Sequence, residues 1–119
     1  MKRIVPRCGK GDVGSIPCSR LALACALIKN GKNVKIASYL NVYSDGYCPL
    51  KSMDKLVKRT FAGVEYRYFP QDERPKLDDL KWEGKYIVCL LEHFIYVEGN
   101  KYYSLFDNTN DEVVAIWKL

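Results

Sequence analysis

Histidine is nearly absent from this chain. One imidazole, His93, serves all 119 residues, so any chemistry that needs a side-chain base near neutral pH has a single candidate. The five cysteines, at 8, 18, 25, 48 and 89, form no CxxC pair and no repeated spacing. That removes the zinc-knuckle and thioredoxin patterns, and an odd count leaves at least one thiol free. Long apolar runs are missing too: the longest, residues 21–28, is far short of a membrane span, and residues 1–7 lack the apolar stretch of a signal peptide. These absences predict a soluble protein of a reducing cytoplasm, with no membrane partner, no cofactor and no metal. Internal repeats and low-complexity tracts are also lacking.

What is present suits one domain spanning residues 1–119, since a 48% hydrophobic fraction with nine tyrosines can fill one modest core. Charge is uneven. Residues 1–60 carry twelve Lys/Arg against three acids, and residues 61–119 carry seven against eleven. A basic half can attract nucleic acid, but the lysines at 29, 32, 35, 51, 55 and 58 are dispersed like solvated helix faces, so nucleic acid is not the expected partner.

Residues 15–18, Ser-Ile-Pro-Cys, predict a helix start with Ser15 as N-cap and Pro17 tolerated in the first turn. Leu21, Ala22, Cys25 and Ile28 recur at helical spacing, and Asn30-Gly31 predicts a left-handed stop. Residues 32–47 fit a short helix or a bent strand, with helix favoured. Ser44-Asp45-Gly46 predicts a turn, and residues 52–59 a second capped helix ending before Gly63. Beyond it the period changes to that of strands, at residues 64–69, 86–91, 94–98, 102–106 and 113–117. Residues 71–83 read as a polar surface connection with one helical turn at 76–80, and Gly99-Asn100 as a hairpin turn. Helices first and an antiparallel sheet second is an α+β arrangement, with the first helix packed on the sheet.

Two residues in this layout suggest chemistry. Cys18 opens a helix, where unpaired N–H groups favour an anion, whereas Cys25 and Cys89 lie in apolar segments and Cys8 and Cys48 in loops. His93 begins a strand-turn-strand that closes on Asp107, a carboxylate able to accept the second ring N–H and fix the tautomer. Register governs that contact: a two-residue turn at 99–100 pairs 93 with 106 and sends Asp107 to the opposite face, whereas a three-residue loop puts it on the same face. Asn108 is the fallback orienter.

The order Cys18, His93, Asp107, the Ala/Leu-rich helix that follows Cys18, the hairpin at 98–101 and the aromatic-acid pair Phe106-Asp107 resemble small papain-like cysteine peptidase-like proteins of bacteriophages and bacteria. The last strand, residues 112–117, also resembles theirs. The resemblance covers residues 15–30 and 84–117. It implies a papain-like fold and a phage-encoded hydrolase in the host cytoplasm that cleaves a peptide or isopeptide bond in a peptide or protein substrate. The chain departs from the family at Glu92, where glycine or serine is usual, and at Pro17, where an acid or amide is frequent. It also has no glutamine or asparagine in residues 1–17 to hold an oxyanion, which leaves the Cys18 N–H and the Ser15 hydroxyl for that task. The alternative expectation is an inert scaffold of the same fold that binds or inhibits a host protein through surfaces rich in tyrosine, at 39, 43, 47, 66, 68, 102 and 103.

Overall fold

The run of leucine and alanine after Pro17 forms a helix, α1 (Cys18–Lys29), with Leu21, Ala22, Leu23, Ala24, Cys25, Ala26 and Leu27 all buried. A helix apolar on every side must lie inside the fold, and this one does. The structure, a computed structural model, describes residues 1–6 and 16–119. Ser15, the expected cap, and Cys8 fall outside that set. The residue at the N-cap is Pro17, whose carbonyl accepts the Leu21 N–H at 2.9 Å. At the other end Gly31 takes the left-handed conformation, φ +68°, as the Asn30-Gly31 pair predicts.

The ambiguous stretch that follows becomes a 3-10 helix, Val34–Tyr39, and then a loop with a turn at Gly46, φ +89°. Helix α2 (Leu50–Thr60) starts two residues before the expected position, because Pro49 rather than Ser52 stands at its N-cap. The Pro49 carbonyl takes the Ser52 and Met53 N–H groups. Met53 and Val57, one turn apart, are its buried face.

Six strands make one sheet: β1 (Lys2–Ile4), β2 (Glu65–Tyr68), β3 (Lys85–Leu90), β4 (His93–Glu98), β5 (Lys101–Tyr103) and β6 (Val113–Lys118), in the order β1-β5-β4-β3-β6-β2. All neighbours are antiparallel except β1 and β5, which run parallel. The arrangement is α+β, with a mixed sheet in place of the expected antiparallel one. The strand β1 carries no apolar alternation that would announce it.

The two central strands are buried on both faces, which explains their near-continuous apolar sequence. Ile87, Cys89, Phe94 and Tyr96 pack with α1 and α2, whereas Tyr86, Val88, Ile95 and Val97 pack with Phe69, Leu77 and Trp82. The second set corrects one expectation. The segment between β2 and β3 is not merely a surface connection, since it puts Leu77 and Trp82 over the sheet and forms only short helical turns, at Gln71–Glu73 and Leu77–Asp79. It is fastened there by Leu77 N–H to the Asp111 carbonyl, 2.9 Å, and Val113 N–H to the Pro75 carbonyl, 2.8 Å.

Candidate active site

Each of the two expected reactive side chains stands first in its element. Cys18 opens α1, and His93 opens β4 after a two-residue turn, Leu91-Glu92, that pairs Leu90 with His93. Both residues line the same two cavities. The larger, of about 640 Å³, is also walled by Pro17, Asp45, Tyr47, Cys48, Glu92 and Phe94. The smaller, of about 330 Å³, is walled by Ile16, Leu21, Ala22, Phe94, Tyr103, Leu105 and Phe106.

Among the described residues no side chain caps α1. The first N–H groups of a helix have no intrahelical acceptor, so the Cys18 backbone offers a donor where an anion would form. Among the described thiols Cys18 alone is part-exposed, and Cys25, Cys48 and Cys89 are buried. Cys48 was expected as a loop thiol. It lies in a loop, but only 6% of it is exposed. Burial pushes the Cys48 thiol up, and it pushes Cys89 up to about 12, helped by the neighbouring sulfurs of Cys18 and Cys48. Both therefore stay protonated at neutral pH and are poor nucleophiles. Three thiols and an imidazole around one cavity could suggest a metal, yet no group of three or more His, Cys, Asp or Glu among the described residues is placed to hold one.

The imidazole is held by a chain of buried polar groups. His93 Nε2 lies 3.1 Å from the Ser104 hydroxyl, which donates to Asn108 Oδ1, and Asn108 Nδ2 donates to Asp111 Oδ2 at 2.6 Å. Ser104 and Asn108 are 2% and 4% exposed. The direction of every bond follows from the last one. A carboxylate only accepts, so the amide nitrogen must face Asp111 and the amide oxygen must face Ser104. Ser104 spends its one proton on that oxygen and can only accept from His93. Nε2 therefore carries the ring proton, and Nδ1 keeps the lone pair of a base. Burial lowers the His93 pKa and the Asp111 charge partly offsets this, so the ring is a neutral acceptor at neutral pH.

The structure does not bring the Asp107 carboxylate to the ring: the imidazole bonds Ser104 instead. The hairpin turn at Gly99-Asn100 has two residues, with Glu98 opposite Lys101, the register expected to set Asp107 on the face opposite His93. Strand β5 stops at Tyr103, before the expected Phe106. The Asp107 carboxylate accepts from the Thr109 N–H at 3.1 Å, the Thr109 hydroxyl at 2.8 Å and the Tyr102 hydroxyl at 3.2 Å. The Thr109 N–H, then the Thr109 hydroxyl, hold its pKa below the usual carboxylate value. Its work is to shape the turn that presents Asn108.

No protein-family model, curated protein or solved structure matches the chain.

Of the residues expected from the sequence, Cys18 and His93 are brought to shared cavities, and Asn108, the reserve, joins the chain of bonds that ends at the ring. Sequence reasoning missed Ser104 and Asp111. The signal for Ser104 was a lone small polar residue between Tyr103 and Leu105, inside a segment otherwise apolar; Asp111 had no signal distinct from its turn. Asp45, expected as a turn residue, and Tyr47, expected as a surface tyrosine, are brought by the turn at Gly46 to the wall of the larger cavity. Among the described residues no helix is long and apolar enough to cross a membrane.

Proposed function

We propose that the chain is a cysteine hydrolase of papain-like fold acting on a peptide or isopeptide bond. The observation that carries this reading is the meeting of Cys18 and His93 at shared cavities, with the imidazole already held in the base tautomer. In the reaction His93 Nδ1 takes the Cys18 proton as the sulfur attacks the carbonyl carbon. The Cys18 backbone N–H faces the developing oxyanion, and Nδ1–H returns the proton to the departing amine. Water, deprotonated by the same nitrogen, then cleaves the thioester. Throughout, Ser104 accepts from Nε2–H, and when the ring becomes a cation the Asp111 charge stabilises it through the buried chain. Asp107 has no part in these steps.

No side-chain amide lines either cavity among the described residues. One missing oxyanion donor raises a barrier by about 2.7–4 kcal/mol, so slow turnover is expected. The test does not depend on fast turnover. Treatment of the folded protein with iodoacetamide, followed by peptide mapping, should modify Cys18 and spare Cys48 and Cys89. Cys18→Ala should keep the fold and lose all cleavage of a peptide library. Cleavage undiminished in that variant would reject Cys18 as the nucleophile.

The second reading, a binding scaffold without activity, draws on five exposed tyrosines, Tyr39, Tyr43, Tyr47, Tyr66 and Tyr68. Tyr102 and Tyr103, first counted with them, are buried. This reading predicts a stoichiometric protein partner that is retained equally by Cys18→Ala.

A further inference from the structure

We propose that two copies of this chain associate edge to edge through β2, in one antiparallel register that sets Glu65 of each copy opposite Arg67 of the other. The inference does not depend on the peptidase reading.

Strand β2 is the last in the sheet order, paired with β6 on one side and with no strand on the other. All four of its residues are exposed. Its pairing with β6 runs from Glu65 opposite Lys118 to Tyr68 opposite Ala115 without a bulge, and the strand holds no proline. A regular, uncovered edge of this kind offers its free backbone groups to a further strand.

Backbone alternation decides which groups are free. The Phe69 N–H donates to the Val114 carbonyl of β6 at 2.8 Å. Alternate residues of an antiparallel ladder turn both backbone groups to the same neighbour, so Glu65 and Arg67 also bond β6, and Tyr66 and Tyr68 turn theirs outward. A two-fold axis across the free edge must then pass through a residue, so that outward groups meet outward groups. With the axis at Glu65 or at Arg67, that residue faces its own copy, and like charges directly opposite are destabilising. With the axis at Tyr68, Tyr66 meets Pro70, which has no N–H to give. Only the axis at Tyr66 is favourable on both counts. Tyr66 then pairs with its own copy, and Glu65 stands opposite Arg67 twice.

This self-complementarity makes a second copy the occupant that fits. Among the described residues neither Glu65 nor Arg67 has an ion-pair partner, and the Arg67 guanidinium lies over the Phe69 ring, 4.5 Å from its centroid, on the face it shares with Glu65. Charge more often guards an edge than recruits to it. A guard of one sign repels a copy in every register, and the other edge of the sheet is of that kind, since β1 carries Lys2 and Arg3 and no acid. Strand β2 alternates in sign instead. None of its residues lines either cavity at Cys18, so the dimer leaves both open.

The edge is four residues long, far short of a standard interface, so the dissociation constant is expected on the order of 100 µM. Sedimentation velocity of the full chain, run from about 10 µM to 1 mM, should show a reversible monomer–dimer equilibrium. Arg67→Glu sets acid against acid at both positions and Glu65→Arg sets base against base, so each should weaken dimerisation by about tenfold or more. Mixed one to one, the two variants should form a heterodimer about as tight as the wild-type dimer, because each supplies the charge the other lacks. That recovery also shows that both are folded. Tyr66→Pro removes an outward N–H at the axis, spares the bonds to β6, and should abolish association. A wild type that stays monomeric at the highest concentration, a dimer indifferent to both charge reversals or to Tyr66→Pro, or a mixture that fails to associate overturns the proposal.

Discussion

Because His93 is the single histidine, its tautomer can be read without assignment from a long-range proton-nitrogen spectrum of uniformly labelled protein. The expected pattern, above the pH at which the ring titrates, is a protonated Nε2 and a bare Nδ1. This follows from bond direction alone: Asp111 accepts from Asn108, Asn108 accepts from Ser104, and Ser104 accepts from His93. The perturbation is Ser104→Ala. It strips a donor from Asn108 Oδ1, which lies in a residue only 4% exposed, and a buried unsatisfied acceptor costs about 1–3 kcal/mol. It also removes the half-buried bond to His93, worth about 0.5–1.5 kcal/mol. The two together predict a loss of about 1.5–4.5 kcal/mol, measured as a shift in urea midpoint at constant m-value.

The same substitution frees the ring to rotate and to exchange tautomers. A misplacement of about 1 Å can cost about a hundredfold in rate, and a loss of that order is expected in peptide cleavage. Asp107→Asn is the matched control. Its bonds go to Tyr102 and Thr109, so it should leave the ring spectrum and the cleavage rate nearly unchanged. A wild-type ring protonated at Nδ1 would refute the argument, since it requires Ser104 to donate to His93 and the whole chain to run backwards. A ring signal altered by Asp107→Asn but untouched by Ser104→Ala would be equally damaging.

Two further outcomes follow from single residues. Glu92→Gly should stabilise the fold by about 0.5–1 kcal/mol in urea melts, because relief of a left-handed conformation, about 1–2 kcal/mol, exceeds the entropy gained by the unfolded chain, about 0.4–1 kcal/mol; a destabilised variant would contradict the strain. His93 has a folded pKa below its usual 6.5, so between those two values the unfolded state binds more protons and stability rises with pH. That contribution is present above about pH 6.5 and is lost as pH falls toward the folded value. Urea midpoints compared at pH 7.5 and 5.5 should fall further for wild type than for His93→Gln, and equal falls would show that the ring is not desolvated.

The order of elements was legible wherever an apolar period ran for several residues: α1, β3, β4 and β6 follow from Leu/Ala spacing and from unbroken apolar runs. The strand β1 was not. Its three residues join the sheet by backbone bonds to β5, and backbone bonds leave no mark on side-chain pattern. Cys48 illustrates a second limit. A turn closed by Tyr43 N–H to the Tyr47 carbonyl, 2.9 Å, folds its loop against α1, so a residue in a polar stretch becomes core. What meets the ring turned on where β5 stops. With the two-residue turn, a strand continued to Phe106 would have sent Asp107 to the opposite face; because it ends at Tyr103, Ser104 turns to the ring and the acid shapes the next turn.

The covering segment between β2 and β3 also has a consequence for the site. It hydrogen-bonds to the loop that follows Asn108, through Asp78 N–H to the Thr109 carbonyl, 3.2 Å, and Leu77 N–H to the Asp111 carbonyl, 2.9 Å. Asp111 is thereby fixed by its backbone before its carboxylate meets Asn108. Each member of the chain that ends at His93 is short-ranged, and a small displacement of the last would open every bond before it. Leu77, fully buried beneath Trp82 and bonded through its carbonyl to the indole N–H at 2.8 Å, anchors that loop from the side of the sheet opposite α1. Cys18 is thus placed by a helix packed on one face of the sheet, and the orientation of His93 is secured by residues packed on the other. The sheet is the rigid body that keeps the two in register.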